Sequence, residues 1–369
     1  MIKVLHIFGI MNRGGAETRT MELMRHIDKT RVCFDYMSCG NSKGDYDEEI
    51  KSLGGIVYYS NIYSMYFFRN LYNIIKHNKY DVVQSHIHYV SGYIMLIAWL
   101  AGCKKRISHF RTASDEKNNA SIKNRLLRHL VLVLSTHILA VNESTMESTI
   151  GKRWKSNKRC QILLNGVKSR YIPEFDAQGF KRYLGIDGKN VILHVGRIDH
   201  EKNHELLLKI FQKYHDDNKD SVLILVGRDN TSEAQNIRKY IEENDLKSDV
   251  LIIGLSNDID KYLNMAEIMV FPSLFEGLPG AILEALSVGL PVLASDIRAH
   301  QEIKKYIPDI ELIKLDDKLE KWCEMIQKTI QSKNREEIRN EFDNAPFEIT
   351  CSLKMLYQIY SFNKMGVET

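Results

Sequence analysis

Two glutamates lie eight positions apart in an apolar stretch that also contains glycine and proline. The stretch reads FPSLFEGLPGAILEAL and holds Glu276 in a loop and Glu284 in the following helix. A carboxylate can accept two hydrogen bonds from a vicinal diol, so Glu284 suits a ribose and Glu276 a sugar ring. Pro279 and Gly280 mark the helix start, where free amides favour an anion. A structural role at the helix dipole explains either acid, but it does not explain the glycines around them.

Two cations follow an apolar run in the stretch VGRIDHEKNHELL. Arg197 comes directly after the predicted strand, and Lys202 lies five residues later, before an amphipathic helix. Arginine binds phosphate as a planar fork and lysine binds it as a point charge, so the pair can clamp a diphosphate. A pair of solvated surface cations is the alternative, and the stretch alone does not decide between the two.

A glycine pair follows the first predicted strand. Gly14 and Gly15 open a helix in GIMNRGGAE, so their free amides and the helix dipole favour an anion such as phosphate. The stretch lacks the G-x-G-x-x-G spacing of a dinucleotide site. Glycine at a strand-to-helix turn is also explained by backbone geometry alone.

Two histidines follow another predicted strand in DVVQSHIHYVSG. Strand alternation places His86 and His88 on one side, which allows a two-histidine metal site. No third ligand of suitable spacing accompanies them. The simpler interpretation is that one histidine hydrogen-bonds a substrate hydroxyl while the other packs or binds phosphate.

The elements that must position these residues alternate along the chain between β-branched runs and amphipathic stretches. This alternation is typical of βαβ units and parallel sheets, so we predict two doubly wound α/β halves. Asn165, Gly166 and Pro173 interrupt the pattern at the boundary. Ligands of such sheets bind beyond the carboxyl ends of the strands, where all four motifs lie.

Length and composition agree with two soluble domains. The chain has 369 residues, of which 44% are hydrophobic and 27% charged, and its six cysteines show no metal or redox spacing. No signal peptide or membrane span is evident, so we expect a cytoplasmic protein with no nucleic-acid partner. Residues 1–170 hold 26 Lys/Arg and 13 Asp/Glu, whereas the remainder holds 25 and 34.

The basic first half suggests an anionic partner. Lipid headgroups and phosphates are such partners, and peripheral association with the inner face of the cell membrane is one expectation. Solubilising surface charge is the other. The cations that we assign to this acceptor or membrane surface lie near apolar runs: Lys104, Lys105, Arg106, Arg111, Lys123, Arg125 and Arg128.

Taken together, these motifs resemble the retaining glycosyltransferases of family 4, which have the GT-B fold. The resemblance covers nearly the whole chain and includes GGAE, SHIHYVSG, HVGRIDHEKNHELL and the two-glutamate motif. It is strongest to bacterial enzymes of capsule, exopolysaccharide and O-antigen assembly. It implies two Rossmann-like domains facing across a cleft: residues 1–170 for the acceptor and 171–346 for the nucleotide sugar. Residues 347–369 would form a C-terminal helix that crosses back to the first domain.

The resemblance also implies roles for individual residues. Arg197 and Lys202 would neutralise the donor diphosphate, Glu284 would hold the ribose, and His86 would reach a donor hydroxyl. Glu276 would contact the sugar and phosphates. The remaining donor-binding positions are backbone groups at Gly14, Gly15, Gly277, Leu278, Pro279, Gly280 and Ala281. Gln84 departs from the family, since relatives often have histidine there, and this leaves the role of His88 open.

The implied co-substrate is a nucleotide sugar, with UDP favoured by family frequency, and the acceptor is a saccharide or lipid-linked saccharide. No cofactor or metal is expected, because cations and amides can stabilise the departing diphosphate. Asp258 and Asp260 form a D-x-D pair, which we interpret as helix-start residues rather than metal ligands.

Three alternatives remain. A nicotinamide-dependent oxidoreductase lacks the expected glycine fingerprint. A phosphorylase or sugar-nucleotide epimerase would share the GT-B fold, and the phosphorylase would need a cofactor lysine site that we do not find. A non-enzymatic glycan-binding protein fits poorly with the intact set of charged residues.

Overall fold

The structure is a computed structural model that describes residues 1–40, 42–113 and 121–361. It divides into two compact units, one of Met1–Gly166 with Ile349–Thr369 and one of Val167–Glu348. The domain limits predicted from the sequence fall after residues 170 and 346.

The first unit is built on a seven-stranded parallel sheet with the order β3-β2-β1-β4-β5-β6-β7. Strands β1 and β2 are mostly buried, which is typical of a parallel sheet covered on both faces. The strands are β1 Ile2–Phe8, β2 Val32–Ser38, β3 Val57–Tyr59, β4 Val82–Ser85, β5 Lys105–Phe110, β6 His137–Ala140 and β7 Cys160–Ile162.

Helices cover the two faces of this sheet. Val4 and Phe8 of β1 point into one core and Leu5 and Ile7 into another, as the two-residue period of a strand requires. The helices of the unit are α1 Gly15–His26, α2 Asp47–Ser52, α3 Phe67–Asn78, α4 Ser91–Leu100, α5 Ile122–Leu134, α6 Glu143–Thr149 and α15 Ile349–Tyr360.

The C-terminal helix α15 packs on the first unit. Leu356, Ile359 and Tyr360 lie in the same core as α1, β1 and β2, and the Tyr360 ring meets Phe34 edge-on. The backbone amide of Asp28 donates to the Tyr357 hydroxyl. The prediction that this helix returns to the N-terminal half is therefore confirmed.

The longest uncharged run of the sequence, IHYVSGYIMLIAWLAGC, contains α4. Ile94, Met95, Ile97 and Ala98 are fully buried against α3 and the sheet, whereas Trp99 is half exposed. Among the residues described, none of the helices combines the length and the apolar composition that a membrane span requires.

The second unit has a six-stranded parallel sheet with the order β10-β9-β8-β11-β12-β13. The strands are β8 Asn190–Val195, β9 Ser221–Val226, β10 Val250–Gly254, β11 Ile268–Phe271, β12 Val292–Ser295 and β13 Glu311–Ile313. The helices are α7 Ala177–Tyr183, α8 His204–Asp217, α9 Ser232–Glu243, α10 Ile259–Met265, α11 Gly280–Ser287, α12 Arg298–Lys304, α13 Leu319–Ser332 and α14 Arg335–Asn344. Both halves are therefore doubly wound, as the sequence predicts.

Candidate active site

Each sheet changes winding direction at one point, between β1 and β4 in the first unit and between β8 and β11 in the second. Open α/β sheets bind ligands beyond the carboxyl ends of the strands at such a point. Gly14 and His86 follow β1 and β4, whereas Arg197 and Glu276 follow β8 and β11. The motifs selected from the sequence thus lie at the two switch points, and we describe each unit by itself.

The loop after β8 positions the two cations of the second unit. Arg197 is more than half exposed, and its Nε donates to Asp199 Oδ2 over 2.6 Å. Asp199 also caps the short 3-10 helix His200–Lys202, whose last amide donates to Asp199 Oδ1. One carboxylate therefore orients both the arginine and the turn that presents Lys202.

Lys202 and Glu276 form an ion pair. The distance from Lys202 Nζ to Glu276 Oε1 is 2.5 Å, and the two side chains are 19% and 11% exposed. The ammonium also lies 5.0 Å from the centre of the Phe271 ring. Glu276 Oε2 has no hydrogen-bond partner in the part of the chain that the structure describes. The structure thus brings these two predicted site residues together, with one carboxylate oxygen still available.

The loop after β11 leads to the start of α11. The amide of Leu274 donates to the carbonyl of Glu201, which ties this loop to the turn that holds Lys202. The first amides of α11, at Gly280 and Ala281, precede the first intrahelical hydrogen bond, from Leu283 to Pro279. Pro279 stands at the N-cap and offers no side-chain cap. Gly277, Leu278 and Pro279 are buried, so the loop offers backbone rather than side chains at this helix start.

Glu284 lies in the second turn of α11 and is 7% exposed. Its Oε1 is 3.2 Å from Arg170 NH2, while Arg170 NH1 donates to Asp260 Oδ1 over 2.8 Å. Sequence reasoning did not select Arg170, because nothing local links it to a helix more than a hundred residues later. Its position orients the carboxylate predicted to hold the ribose.

The D-x-D aspartates are engaged in ion pairs. Asp258 pairs with Lys261 over 3.0 Å, and Asp260 pairs with Arg170. Asp258 occupies the N-cap position of α10, but its side chain does not cap the helix. Among residues 1–40, 42–113 and 121–361, no group of three or more His, Cys, Asp or Glu is arranged to hold a metal ion.

Three buried histidines lie near Lys202, and sequence reasoning missed all of them. Burial lowers the pKa of His204 and of His300 to about 4 and that of His194 well below its ordinary value, and the Lys202 charge contributes to each shift. All three are therefore neutral at pH 7. His194 Nδ1 donates to the Val270 carbonyl, which leaves its Nε2 as an acceptor. The signal in the sequence was their position at the ends or starts of elements around the switch point.

The glycine pair of the first unit opens α1. Gly14 is the N-cap residue, with extended backbone. A Cβ on Gly14 would come within 2.5 Å of Glu17 Oε2, whereas a Cβ on Gly15 would meet nothing within 4 Å. The fold itself therefore does not require glycine at position 15, and the space in front of it is open.

His86 lies directly after β4, and both of its ring nitrogens meet groups of the same unit. Nε2 is 3.1 Å from His6 Nδ1, and Arg111 Nε donates to Nδ1 over 3.3 Å. The ring stacks on Phe8 with a centroid distance of 4.1 Å. Contact between His86 and a donor hydroxyl stays a prediction, and it would require one of these hydrogen bonds to be replaced.

His88 does not share a side with His86, contrary to the alternation argument. The strand ends at Ser85, and His88 has a positive φ of 48° at the start of a 3-10 helix. Its ring packs edge-on against Tyr89 and Phe110. Gln84 is buried and bridges the Tyr360 hydroxyl to His109 Nδ1, so it acts inside the unit.

Part of the predicted basic surface lies inside the protein. Lys105 is buried, and its ammonium donates to the carbonyls of Ile359 and Ser361 at the end of α15. Arg106 donates to the carbonyls of Cys103, Lys104 and Leu134. The expectation that these two side chains are surface cations is corrected, because both satisfy backbone carbonyls.

The other predicted cations fall into two groups. Arg111 is partly buried and contacts His86, Thr20 and Asn165, so it belongs to the switch point of the first unit. The remaining side chains are exposed or partly exposed: Lys104, Lys123, Arg125 and Arg128. The last three lie on α5.

Comparison with known proteins places this geometry in a family. The family model described as "Glycosyltransferase Family 4" matches residues 13–170, and that described as "Glycosyl transferases group 1" matches residues 177–309. The capsular polysaccharide biosynthesis glycosyltransferase CapH of Staphylococcus aureus is 31% identical over 98% of this chain and 99% of its own.

Two further comparisons bear on substrate and fold. A UDP-Gal:alpha-D-GlcNAc-diphosphoundecaprenol alpha-1,3-galactosyltransferase of Escherichia coli is 30% identical over 67% of this chain and 66% of its own. The crystal structure of Anabaena HepE in complex with UDP-glucose superposes with a TM-score of 0.82 at 15% identity, covering 97% of this chain and 99% of that one. The chain belongs to glycosyltransferase family 4, has the GT-B fold and is a glycosyltransferase of polysaccharide biosynthesis.

Proposed function

We propose that this enzyme transfers a sugar from a UDP-sugar to a lipid-diphosphate-linked saccharide, with retention of anomeric configuration and without a metal ion. The observation behind the proposal is the cluster at the β8/β11 switch point, where Lys202 pairs with Glu276 and the loop that leads to α11 is hydrogen-bonded to the turn that holds Lys202. The nicotinamide alternative is not favoured, because the family model and the relatives are those of glycosyltransferases.

The chemistry follows from the charges of this cluster. Breaking the bond between the sugar and the nucleoside diphosphate builds negative charge on the β-phosphate. Arg197, Lys202 and the amides at Gly280 and Ala281 supply positive charge and hydrogen-bond donors that are already oriented. Groups that bind the departing diphosphate more strongly than the intact donor lower the barrier.

Retention without a carboxylate nucleophile is consistent with the ion pairs in the second unit. Glu276 and Asp199 are each engaged with a cation, so neither is an unpaired carboxylate positioned for attack on the anomeric carbon. In the route that we propose, the acceptor hydroxyl attacks on the face that the diphosphate leaves. The leaving phosphate oxygen takes the proton of that hydroxyl, which balances the step without a second protein base.

The substrate classes are proposed from relatives. The Escherichia coli relative has a name that specifies UDP-Gal as donor, a diphosphoundecaprenol acceptor and an alpha linkage. A Campylobacter jejuni relative, 31% identical over 56% of this chain, also acts on a diphospho-undecaprenol saccharide by its name. HepE was crystallised with UDP and glucose. We extend these donor and acceptor classes to the present enzyme.

A donor screen tests the proposal directly. Purified enzyme is incubated with UDP-, GDP- and ADP-sugars and a synthetic lipid-diphosphate saccharide, and the product is detected by mass spectrometry. We expect turnover with a UDP-sugar, and an NMR spectrum of the product that shows the anomeric configuration of the donor. Turnover only with another nucleotide, or an inverted product, would contradict the corresponding part of the proposal.

Metal independence has its own measurement. Turnover in excess EDTA is compared with turnover after addition of Mg²⁺ or Mn²⁺. We expect rates within about twofold, because cationic side chains and amides take the place that a metal occupies in other phosphate-transfer sites. A loss of activity in EDTA that Mn²⁺ restores would refute this part.

Helix α5 supports association with an anionic membrane. Ile122, Leu126 and Val133 are 83%, 63% and 59% exposed, and their spacing places them on one side of the helix. Lys123 and Arg125 are exposed beside this apolar stripe, and Arg128 is partly exposed. An apolar stripe flanked by cations is the pattern of a helix that lies in the headgroup region of an anionic bilayer.

Flotation with liposomes tests this association. We expect the enzyme to float with phosphatidylglycerol vesicles at low salt and to bind phosphatidylcholine vesicles much less. Leu126→Glu should abolish flotation. Tyr183→Glu is the matched control, because Tyr183 is 82% exposed in the other unit and should not affect it. Equal flotation of both variants would refute α5 as the membrane surface.

A further inference from the structure

Among the residues that the structure describes, Arg111 has no acidic partner within ion-pair distance at the switch point of the first unit. It follows β5 directly and is partly buried. Its guanidinium donates to His86 Nδ1 over 3.3 Å, to Asn165 Oδ1 over 2.8 Å and to Thr20 Oγ1 over 3.0 Å. All three acceptors are neutral. In the described part of the chain, no carboxylate oxygen comes within the 4.0 Å of an ion pair with this guanidinium.

Burial of a cation without an adjacent carboxylate costs free energy. Charged side chains that are withdrawn from water are ordinarily paired with an opposite charge. Burial lowers the pKa of Arg111 to about 10, and the negative charge of Glu17 opposes the shift. The side chain remains charged at pH 7, and of the described carboxylates Glu17 compensates this charge from beyond ion-pair distance.

The guanidinium is also fixed in orientation. Thr20 lies on α1, His86 follows β4 and Asn165 follows β7, so three separate elements hold one planar group. An arginine has five N–H donors, and these contacts use three of them. Two donors are left on a group whose direction is already set, which is the preorganised fork that phosphate oxygens prefer.

His86 and His6 continue the hydrogen bonds that start at Arg111. Burial is the main cause that lowers the pKa of His6 to about 3 and that of His86 well below its ordinary value, so both rings are neutral at pH 7. Because Arg111 donates to His86 Nδ1, the proton of His86 sits on Nε2 and is donated to His6 Nδ1. The proton of His6 is then on its own Nε2, which is buried without a hydrogen-bond partner among the described residues.

A second chain of hydrogen bonds ends in the same way. The Tyr360 hydroxyl donates to Gln84 Oε1, so the Gln84 amide donates to His109 Nδ1. Burial also lowers the pKa of His109 well below its ordinary value, so the ring is neutral and its proton lies on Nε2. That atom is likewise buried without a partner in the described residues. Both chains thus end in a buried N–H donor, and not in an acceptor.

We propose that Arg111 is the centre of an anion subsite in the first unit, and that this subsite binds a phosphate group of a substrate diphosphate. The inference rests on the proposed function, in which both the UDP-sugar and the lipid-linked acceptor contain a diphosphate. A fixed guanidinium with two donors left over and only neutral groups as hydrogen-bond partners among the described residues selects an anion over a neutral sugar hydroxyl. Arg111 therefore contributes to substrate binding rather than to a basic outer surface.

Direct binding measurements test the subsite without turnover. UDP represents the donor and farnesyl diphosphate represents the lipid-linked acceptor, and each is titrated by calorimetry into the full-length enzyme and into Arg111→Gln. We expect the affinity for one of the two ligands to fall by about 10- to 100-fold, as for loss of a charge-assisted hydrogen bond. A loss confined to UDP assigns the subsite to the donor, and a loss confined to farnesyl diphosphate assigns it to the acceptor.

Controls separate binding from folding. Arg106→Gln removes a partly buried arginine at the opposite, amino-terminal end of β5 that donates only to backbone carbonyls, so it should leave both affinities unchanged. Arg111→Lys keeps the charge and should recover part of the lost affinity. The inference is overturned if Arg111→Gln remains folded, by its thermal transition, and binds both ligands as the unmodified enzyme does. Failure of the UDP-sugar assay alone would overturn the proposed function but not this subsite, since these titrations need no reaction.

Discussion

The Lys202–Glu276 ion pair allows the structural and catalytic contributions of one lysine to be separated. In Lys202→Met, Glu276 keeps its charge in a place where the two side chains were 19% and 11% exposed and 2.5 Å apart. Removal of one partner of a largely buried pair costs about 2 to 5 kcal/mol. For a domain of this size each kcal/mol lowers Tm by about 2–4 °C, so we expect Tm to fall by at least about 4 °C.

The same substitution removes a charge that we place at the departing diphosphate. Loss of one preorganised group that stabilises developing negative charge typically lowers kcat by about 10²- to 10³-fold. Because Lys202 is paired with Glu276 when no substrate is bound, part of its charge is already compensated. The effect should therefore appear in kcat rather than only in the affinity for the donor.

The double variant Lys202→Met/Glu276→Gln distinguishes the two contributions. It contains no unpaired buried charge, so we expect most of the lost Tm to return while kcat stays at the level of the single variant. Stability is followed by thermal and urea unfolding, and turnover by UDP release. The reasoning is refuted if Lys202→Met loses stability as expected but keeps kcat within about threefold of the unmodified enzyme.

Three further predictions follow from contacts in the two units. Gly15→Ala should fold with unchanged stability, since its Cβ meets nothing within 4 Å. If phosphate approaches this backbone, the variant should bind UDP about tenfold more weakly by calorimetry, and unchanged affinity would contradict a phosphate contact at Gly15. Arg170→Met should raise the donor KM about tenfold with a smaller change in kcat, because Glu284 loses its orienting partner. Asp260→Asn should change the donor KM by no more than about twofold, and equal effects of the two variants would exclude a role of Arg170 through Glu284. The pKa of His204 and of His300 is about 4 in the folded state and near 6.5 in the unfolded state. Between these values the unfolded state binds more protons, so the free energy of unfolding must fall as pH drops from 6.5 to 4. The expected slope is about 1.4 kcal/mol per pH unit for each histidine. His300→Gln should flatten this dependence in urea unfolding, and an unaltered slope would show that His300 does not contribute.

The repeated α/β pattern was readable from the sequence because buried parallel strands are short apolar runs with little ambiguity. Strand β1, with the sequence IKVLHIF, is an example of such a run. Strands β7 and β13 have only three residues each, and β13 is half-buried in part, so neither produces a recognisable apolar run. The doubly wound halves were predicted from the alternation of such runs with amphipathic stretches.

Two failures of sequence reasoning have the same cause, which is contact between residues far apart in the chain. Lys105 looks like a surface cation beside two other cations, but α15 brings the carbonyl of Ile359 to it. Arg170 pairs with Glu284, which lies more than a hundred residues later in the chain. The prediction that His86 and His88 lie on one side was wrong for a local reason, because the strand ends at Ser85 and strand alternation does not apply beyond it.

The cations at the two switch points differ in whether they are paired with carboxylates. This difference affects which anions each switch point can bind. In the second unit Lys202 is neutralised by Glu276 and Arg197 by Asp199, so an anion must compete with internal carboxylates. A ligand with densely packed negative charge, such as a diphosphate, competes better than one with a single charge. In the first unit Arg111 meets only neutral acceptors in the described residues, so no such competition opposes a single phosphate group. Selectivity depends on which ion pairs or hydrogen bonds within the protein an incoming anion has to replace. The pairing of these three cations is therefore a better guide to substrate recognition than the net charge of each half.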